Sequence, residues 1–162
     1  MPAAPRDWAD PFLDQAKEDL AAAYAVTSSS PSTFCMLLQM VFEKLAKSAF
    51  ARSGMPPPRN HAAAAHFFGM LRRFPSGRQL LTSNGRAEAF IVQLELAQPS
   101  VAKQNNLLEQ LEYPWEDAAG IVRTPCRDLA LARRIADPKD RIGVDCLKFA
   151  SALIKAVPEI FP

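Results

Sequence analysis

The strongest constraint in this chain is a helix that is apolar on almost every side. Phe34, Leu37, Leu38, Val41, Leu45 and Ala49 recur at the spacing of one helical stripe. Cys35, Met36, Met40, Phe42, Ala46 and Phe50 cover much of the remainder. A helix apolar this far round belongs at the centre of a bundle, not on its rim. One polar line interrupts it, with Gln39, Glu43 and Lys47 at i, i+4 and i+8. Glu43 ahead of Lys47 is the favourable orientation for an ion pair along a helix. The helix is expected to end near Gly54, because Pro56, Pro57 and Pro58 forbid its continuation. The segment Arg59-Asn60-His61-Ala62-Ala63-Ala64-Ala65-His66 follows, with Asn60 suited to cap a third helix that runs towards Phe74.

The rest of the chain reads as helix punctuated by proline. Asp10-Pro11, Ser30-Pro31, Thr124-Pro125 and Asp137-Pro138 each set a capping oxygen before a proline, a pairing that marks a helix start. A first amphipathic helix extends from there to about Val26 through Phe12, Leu13, Ala16, Leu20 and Ala23. Leu80 and Leu81 before Asn84-Gly85 suggest a short helix and a turn. Ala87 to Ala97 reads as helix, although Phe90-Ile91-Val92 alone also suits a strand. Pro99 to Ile121 reads as helix and then loop, Pro125 to Ile135 as a shorter helix, and Pro138 to Val157 as the last. Strand-type alternation is missing almost everywhere, so the expected fold is an all-α bundle forming one domain over residues 1–162.

Composition narrows the function. Nearly half the residues, 49%, are hydrophobic, which excludes a disordered chain. Nineteen basic against 17 acidic residues is not the overall balance of a dedicated nucleic-acid binder, although a local patch remains open. The start, MPAAPRDWAD, lacks a basic region leading into an apolar core, and the most apolar run is far too short to span a bilayer. The expectation is a soluble, cytoplasmic protein with no membrane partner. Cys35, Cys126 and Cys146 are far apart and odd in number, which suits reduced thiols. Two histidines without clustered ligands suggest no metal and no cofactor.

Two short motifs carry a resemblance. The first helix holds Ala16, Asp19, Leu20 and Ala23 in the pattern A-x-x-D-L-x-x-A. The second holds Glu43, Lys44 and Lys47 in the pattern E-K-x-x-K, followed by a loop and a histidine, His61 or His66. In these features the chain resembles the HEPN superfamily of nucleotide-binding helical domains. The resemblance implies an up-and-down bundle of four core helices with one or two extra short ones. It implies a homodimeric binding module for a nucleotide, RNA or a partner protein, of the kind found in prokaryotic stress or defence systems. Some members are metal-independent endoribonucleases in which an Arg, often followed by a polar residue, precedes a His. Arg59, Asn60 and His66 resemble that motif. On one continuous helix, seven positions make nearly two turns, so Arg59 and His66 would share a face about 10 Å apart along the axis. The imidazole would then help deprotonate a ribose 2′-hydroxyl, and the guanidinium would stabilise charge on the phosphate.

Each candidate has a bland alternative. His61 and His66 also suit helix capping or packing on the second helix. Gln39, Glu43 and Lys47 suit either a ligand between helices or a self-satisfied polar seam. Tyr113 and Trp115 can stack on bases, or can plug the bundle with Pro114 fixing the turn. Arg72, Arg73, Arg78 and Arg86 lie in a stretch without acids, and Glu109, Glu112, Glu116 and Asp117 in one without bases. A patch of those arginines would favour nucleic acid, whereas pairing with acids on neighbouring helices would favour a purely structural interaction bundle. Met36, Met40, Met55, Phe67, Phe68 and Met70 supply an apolar excess that suits a self-complementary dimer interface.

Overall fold

Helix α2, Pro31–Arg52, is the axis on which the other elements are laid. The structure, a computed structural model, describes residues 4–104 and 108–162. Twelve positions of α2 are buried, from Phe34 to Ala51, and they run right round the helix. Its end is a Schellman motif. Gly54 takes φ +72°, the Gly54 N–H donates to Ala51 O, and the Met55 N–H donates to Phe50 O.

Helix α1, Ala9–Val26, returns along α2 after a short turn and buries Leu13, Ala16, Leu20 and Ala23 against it. The alanines let the two backbones approach closely. Helices α3 (Ala64–Leu71), α4 (Pro75–Ser83) and α5 (Gly85–Leu96) follow in quick succession. At Gly77 a Cβ would fall 2.2 Å from Leu71 O, so the turn from α3 into α4 admits no larger side chain. Helix α6, Pro99–Gln104, is short. A small antiparallel hairpin pairs β1 (Trp115–Glu116) with β2 (Val122–Arg123). Helices α7 (Pro125–Asp128), α8 (Ala130–Ala136) and α9 (Ile142–Ile160) complete the chain. Helix α9 buries Ile142, Cys146, Phe149, Leu153 and Val157 on one face, against α2 and α5. The centre is aromatic. Phe42, Phe68 and Phe149 surround one another with ring centroids 5.6–6.0 Å apart.

The fold is thus all-α, with one hairpin among the described residues, but several boundaries depart from expectation. Asp10 lies inside α1, because a 3-10 turn over Pro5–Trp8 leads into the helix first. The third helix begins at Ala64 rather than Asn60, because its first N–H groups are capped by the Glu95 carboxylate of α5. Residues 125–135 form two helices, not one. The chain extends at Leu129, which is fully buried, and the Glu109 carboxylate receives the freed Ala130 N–H. The last helix starts at Ile142, not Pro138, since Asp140 accepts its first N–H, and it runs through Pro158 to Ile160. Residues Phe90–Val92 are helical within α5. The hairpin was not foreseen.

Phe67 and Phe68 are fully buried in this core, and Met70 packs against it. They therefore belong to the interior of one chain rather than to an apolar excess on its surface. Met55 is exposed, and Met36 and Met40 are half-buried. Among the described residues, no helix is long and apolar enough to cross a membrane.

Candidate functional site

The polar line of α2 is inside the protein. Gln39 and Glu43 are 4% and 6% exposed. An unpaired carboxylate there would be costly, so its partners decide what the site is. Lys47, one turn on, donates from Nζ to Glu43 Oε1 at 2.6 Å. His61 reaches in from the loop after α2, its Nδ1 2.7 Å from Glu43 Oε2. Gln39 Nε2 lies 3.4 Å from both Glu43 Oε2 and the His61 carbonyl oxygen. Burial pushes the Glu43 carboxyl up, but the hydrogen bonds from Lys47 and His61 outweigh it and hold the group below the ordinary glutamate range. Glu43 is an anion shared by two basic side chains.

A second buried pair lies on the adjoining helix face. Lys44 Nζ is 2.8 Å from Asp19 Oδ2, and Gln15 Nε2 donates to Asp19 Oδ1 at 3.1 Å. Of the seven motif positions, Asp19 and Lys44 therefore pair across the α1–α2 seam, and Lys47 meets the Phe12 ring across it, whereas Glu43 turns to Lys47 and His61. Ser48 Oγ closes the end of the seam on Ala9 O at 2.7 Å, and Arg52 pairs with Asp10.

Lys47 also faces outward. Its Nζ lies 5.8 Å from the centre of the Phe12 ring and borders a groove of about 610 Å³. Pro5, Trp8 and Phe12 form one wall, and Pro56, Pro57, Pro58 and Arg59 the other. Trp8 is half exposed. Arg59 is exposed and makes no hydrogen bond or ion pair among the described residues. The groove therefore joins aromatic and proline surface to two permanent cations.

Arg59 and His66 do not share a helical face. Arg59, Asn60 and His61 form a bend outside the helix, and His66 lies exposed in the first turn of α3. The structure joins His61, not His66, to the Glu43–Lys47 line. Asn60 is exposed and is not the cap of α3. That role falls to Glu95, which sequence reasoning missed. It is 5% exposed, and burial raises its carboxyl above the ordinary value, against the N–H groups of residues 63–65 and the charge of His66. A lone acid on the buried face of α5, beside Ile91 and Leu94, was the available signal.

Two of the four arginines in the acid-free stretch pair with acids. Arg72 pairs with Glu88, and Arg86 with Asp140 and, at 3.6 Å, with Asp145. Arg78 donates to Arg72 O at 3.1 Å. Arg73 is exposed and makes no such bond among the described residues. Near the hairpin, Trp115 packs against the core, whereas Tyr113 is 60% exposed, so only one of the two aromatics plugs the bundle. Asp117 accepts from the N–H groups of Ala119 and Ile121 and from Arg123, and these bonds hold the hairpin turn.

The cysteine thiols are free. Burial pushes Cys35 up to about 12 and raises Cys146 as well, so neither is a nucleophile near neutral pH. Among the described residues, no three His, Cys, Asp or Glu side chains are grouped to hold a metal ion.

No family model, curated protein or solved structure matches the chain.

Proposed function

We propose that the protein is a HEPN-type helical module that binds nucleotide or RNA through the end of the α1–α2 hairpin. The observation that carries the reading is the buried Glu43 carboxylate, held between Lys47 and His61 beside an open groove bearing Arg59. A charged cluster built into the interior is more than solubility requires, and its outer member His61 is about half exposed where a ligand can meet it. The up-and-down four-helix arrangement, the homodimer and a role in prokaryotic stress or defence belong to the same proposal, as does cytoplasmic location.

A second reading, a metal-independent endoribonuclease, draws on the exposure of both Arg59 and His66. Since they do not share a helical face, that reading takes the pair across a dimer cleft. A third, a protein-interaction bundle, draws on the ion pairs that occupy Arg72 and Arg86.

Fluorescence anisotropy with labelled single-stranded RNA, in parallel with a metal-free cleavage assay, separates the three. The binding module gives saturable binding without cleavage, weakened by Arg59→Ala. The nuclease gives cleavage abolished by both Arg59→Ala and His66→Ala with folding intact. The absence of nucleotide or RNA binding overturns the proposal in favour of the interaction bundle.

A further inference from the structure

We infer that the groove between the 3-10 turn and the proline segment is a mononucleotide site, with the base stacked on Trp8 and the phosphate held by Arg59 and Lys47. This rests on the nucleotide-binding reading and sharpens it to one place and one size of ligand.

The groove has two chemically different parts. Trp8 and Phe12 lie with ring centroids 6.0 Å apart and planes tilted by 33°, and since Lys47 Nζ sits over the Phe12 ring, Trp8 is the ring left open for stacking. Trp8 is 49% exposed, although an indole of that area is ordinarily more fully covered in a folded chain. Pro56, Pro57 and Pro58 line the facing side and have little freedom to lose when a ring enters. A nucleobase suits such a wall because stacking on an aromatic ring needs only a π-face.

The other part is cationic. Lys47 and Arg59 are the charged residues that line it, and with Lys47 balanced by the buried Glu43 the Arg59 charge is left over. Lys47 gives one of its three N–H donors to Glu43 and lines the groove, with two donors left to give. Arg59 brings an unengaged guanidinium fork, whose geometry matches a phosphate. Glu43 fixes Lys47 in place, so little side-chain freedom remains for the ligand to freeze.

Size and surroundings favour a mononucleotide over a strand. A volume of about 610 Å³ falls among small-ligand sites, which span roughly 300–1,000 Å³. A strand needs a basic track to follow. The arginine stretch on α3–α5 is interrupted as a track, since Arg72 and Arg86 are paired with acids and Arg73 and Arg78 alone stand without one among the described residues.

Tryptophan fluorescence tests the site, because Trp8 and Trp115 are the two tryptophans of the chain. Trp115→Phe leaves Trp8 as sole reporter, and AMP is the titrant. The expected result is saturable quenching, weakened about tenfold by adding Arg59→Ala, the loss of one charge-assisted contact. Should Trp115→Phe not fold, the difference between wild type and Trp8→Phe reads the same signal. If RNA binds by anisotropy but AMP does not, the site inference fails and the wider function stands. If AMP binds by calorimetry with equal affinity to wild type, Trp8→Phe and Arg59→Ala, the nucleotide reading stands and this location is wrong. If neither AMP nor RNA binds, both fail.

Discussion

The α1–α2 seam and the α3–α5 arginine stretch are both dense in charge, yet they use it differently. In the seam, Glu43 is buried and serves two basic side chains at 2.6 and 2.7 Å. In the stretch, Arg72 and Arg86 are more than half exposed and each meets acids across the surface. Burial separates the two cases. A solvated arginine is screened and loses little when its partner goes, whereas a buried carboxylate holds its neighbours in place. The same residue types therefore make a surface in one region and a site in the other.

The comparison breaks first on stability. Glu43→Ala strands Lys47 against the core and removes the anchor of His61, with an expected loss of about 3 kcal/mol in urea unfolding. Arg86→Ala is expected to change stability by about 1 kcal/mol or less, because the arginine itself is more than half exposed. Equal losses would erase the distinction.

Acid unfolding gives the next largest contrast. Glu43 is held below its ordinary value of 4.5, so the unfolded chain takes up that proton first as pH falls. Its contribution is complete above about pH 4.5 and is lost as pH drops through the folded value. Glu43→Gln is therefore expected to flatten the acid side of a stability–pH curve relative to wild type. Glu95 has the opposite sign. Its folded value lies above 4.5, so its contribution is fully present below that pH and is lost as pH rises through the folded value. Glu95→Gln, which keeps an acceptor for the Ala64 and Ala65 N–H groups, is expected to remove that decline. Chemical unfolding of both variants at several pH values checks the pair of signs. Changes of slope in the same direction for both variants, each relative to wild type, would contradict the account.

The smallest effect concerns salt. Stability losses from Arg72→Ala and Arg86→Ala are expected to shrink further at about 1 M salt, where exposed charges are screened beyond roughly 3 Å. The Glu43→Ala loss is expected to change much less.

What could be read in advance follows the range of the interactions involved. The apolar circumference of α2, the Glu43–Lys47 pair and the stop at Gly54 are local patterns, and the chain shows all three. Each remaining surprise involves a partner distant in sequence. Glu95 caps α3 from about 30 residues away and moves its start from Asn60 to Ala64. Glu109 meets Ala130 N–H and permits the break at Leu129. His61, rather than His66, reaches Glu43 because the proline segment turns it back onto α2. The groove itself was illegible, since its two walls come from residues 5–12 and 56–59, which no local period connects.

The most direct test is isothermal titration of AMP into wild type, Arg59→Ala and the double variant Arg72→Ala/Arg73→Ala. The account predicts binding to wild type, clear weakening in Arg59→Ala and little change in the double variant. Binding retained in Arg59→Ala and lost in the double variant would contradict it, and would move the site from the α1–α2 seam to the arginine stretch.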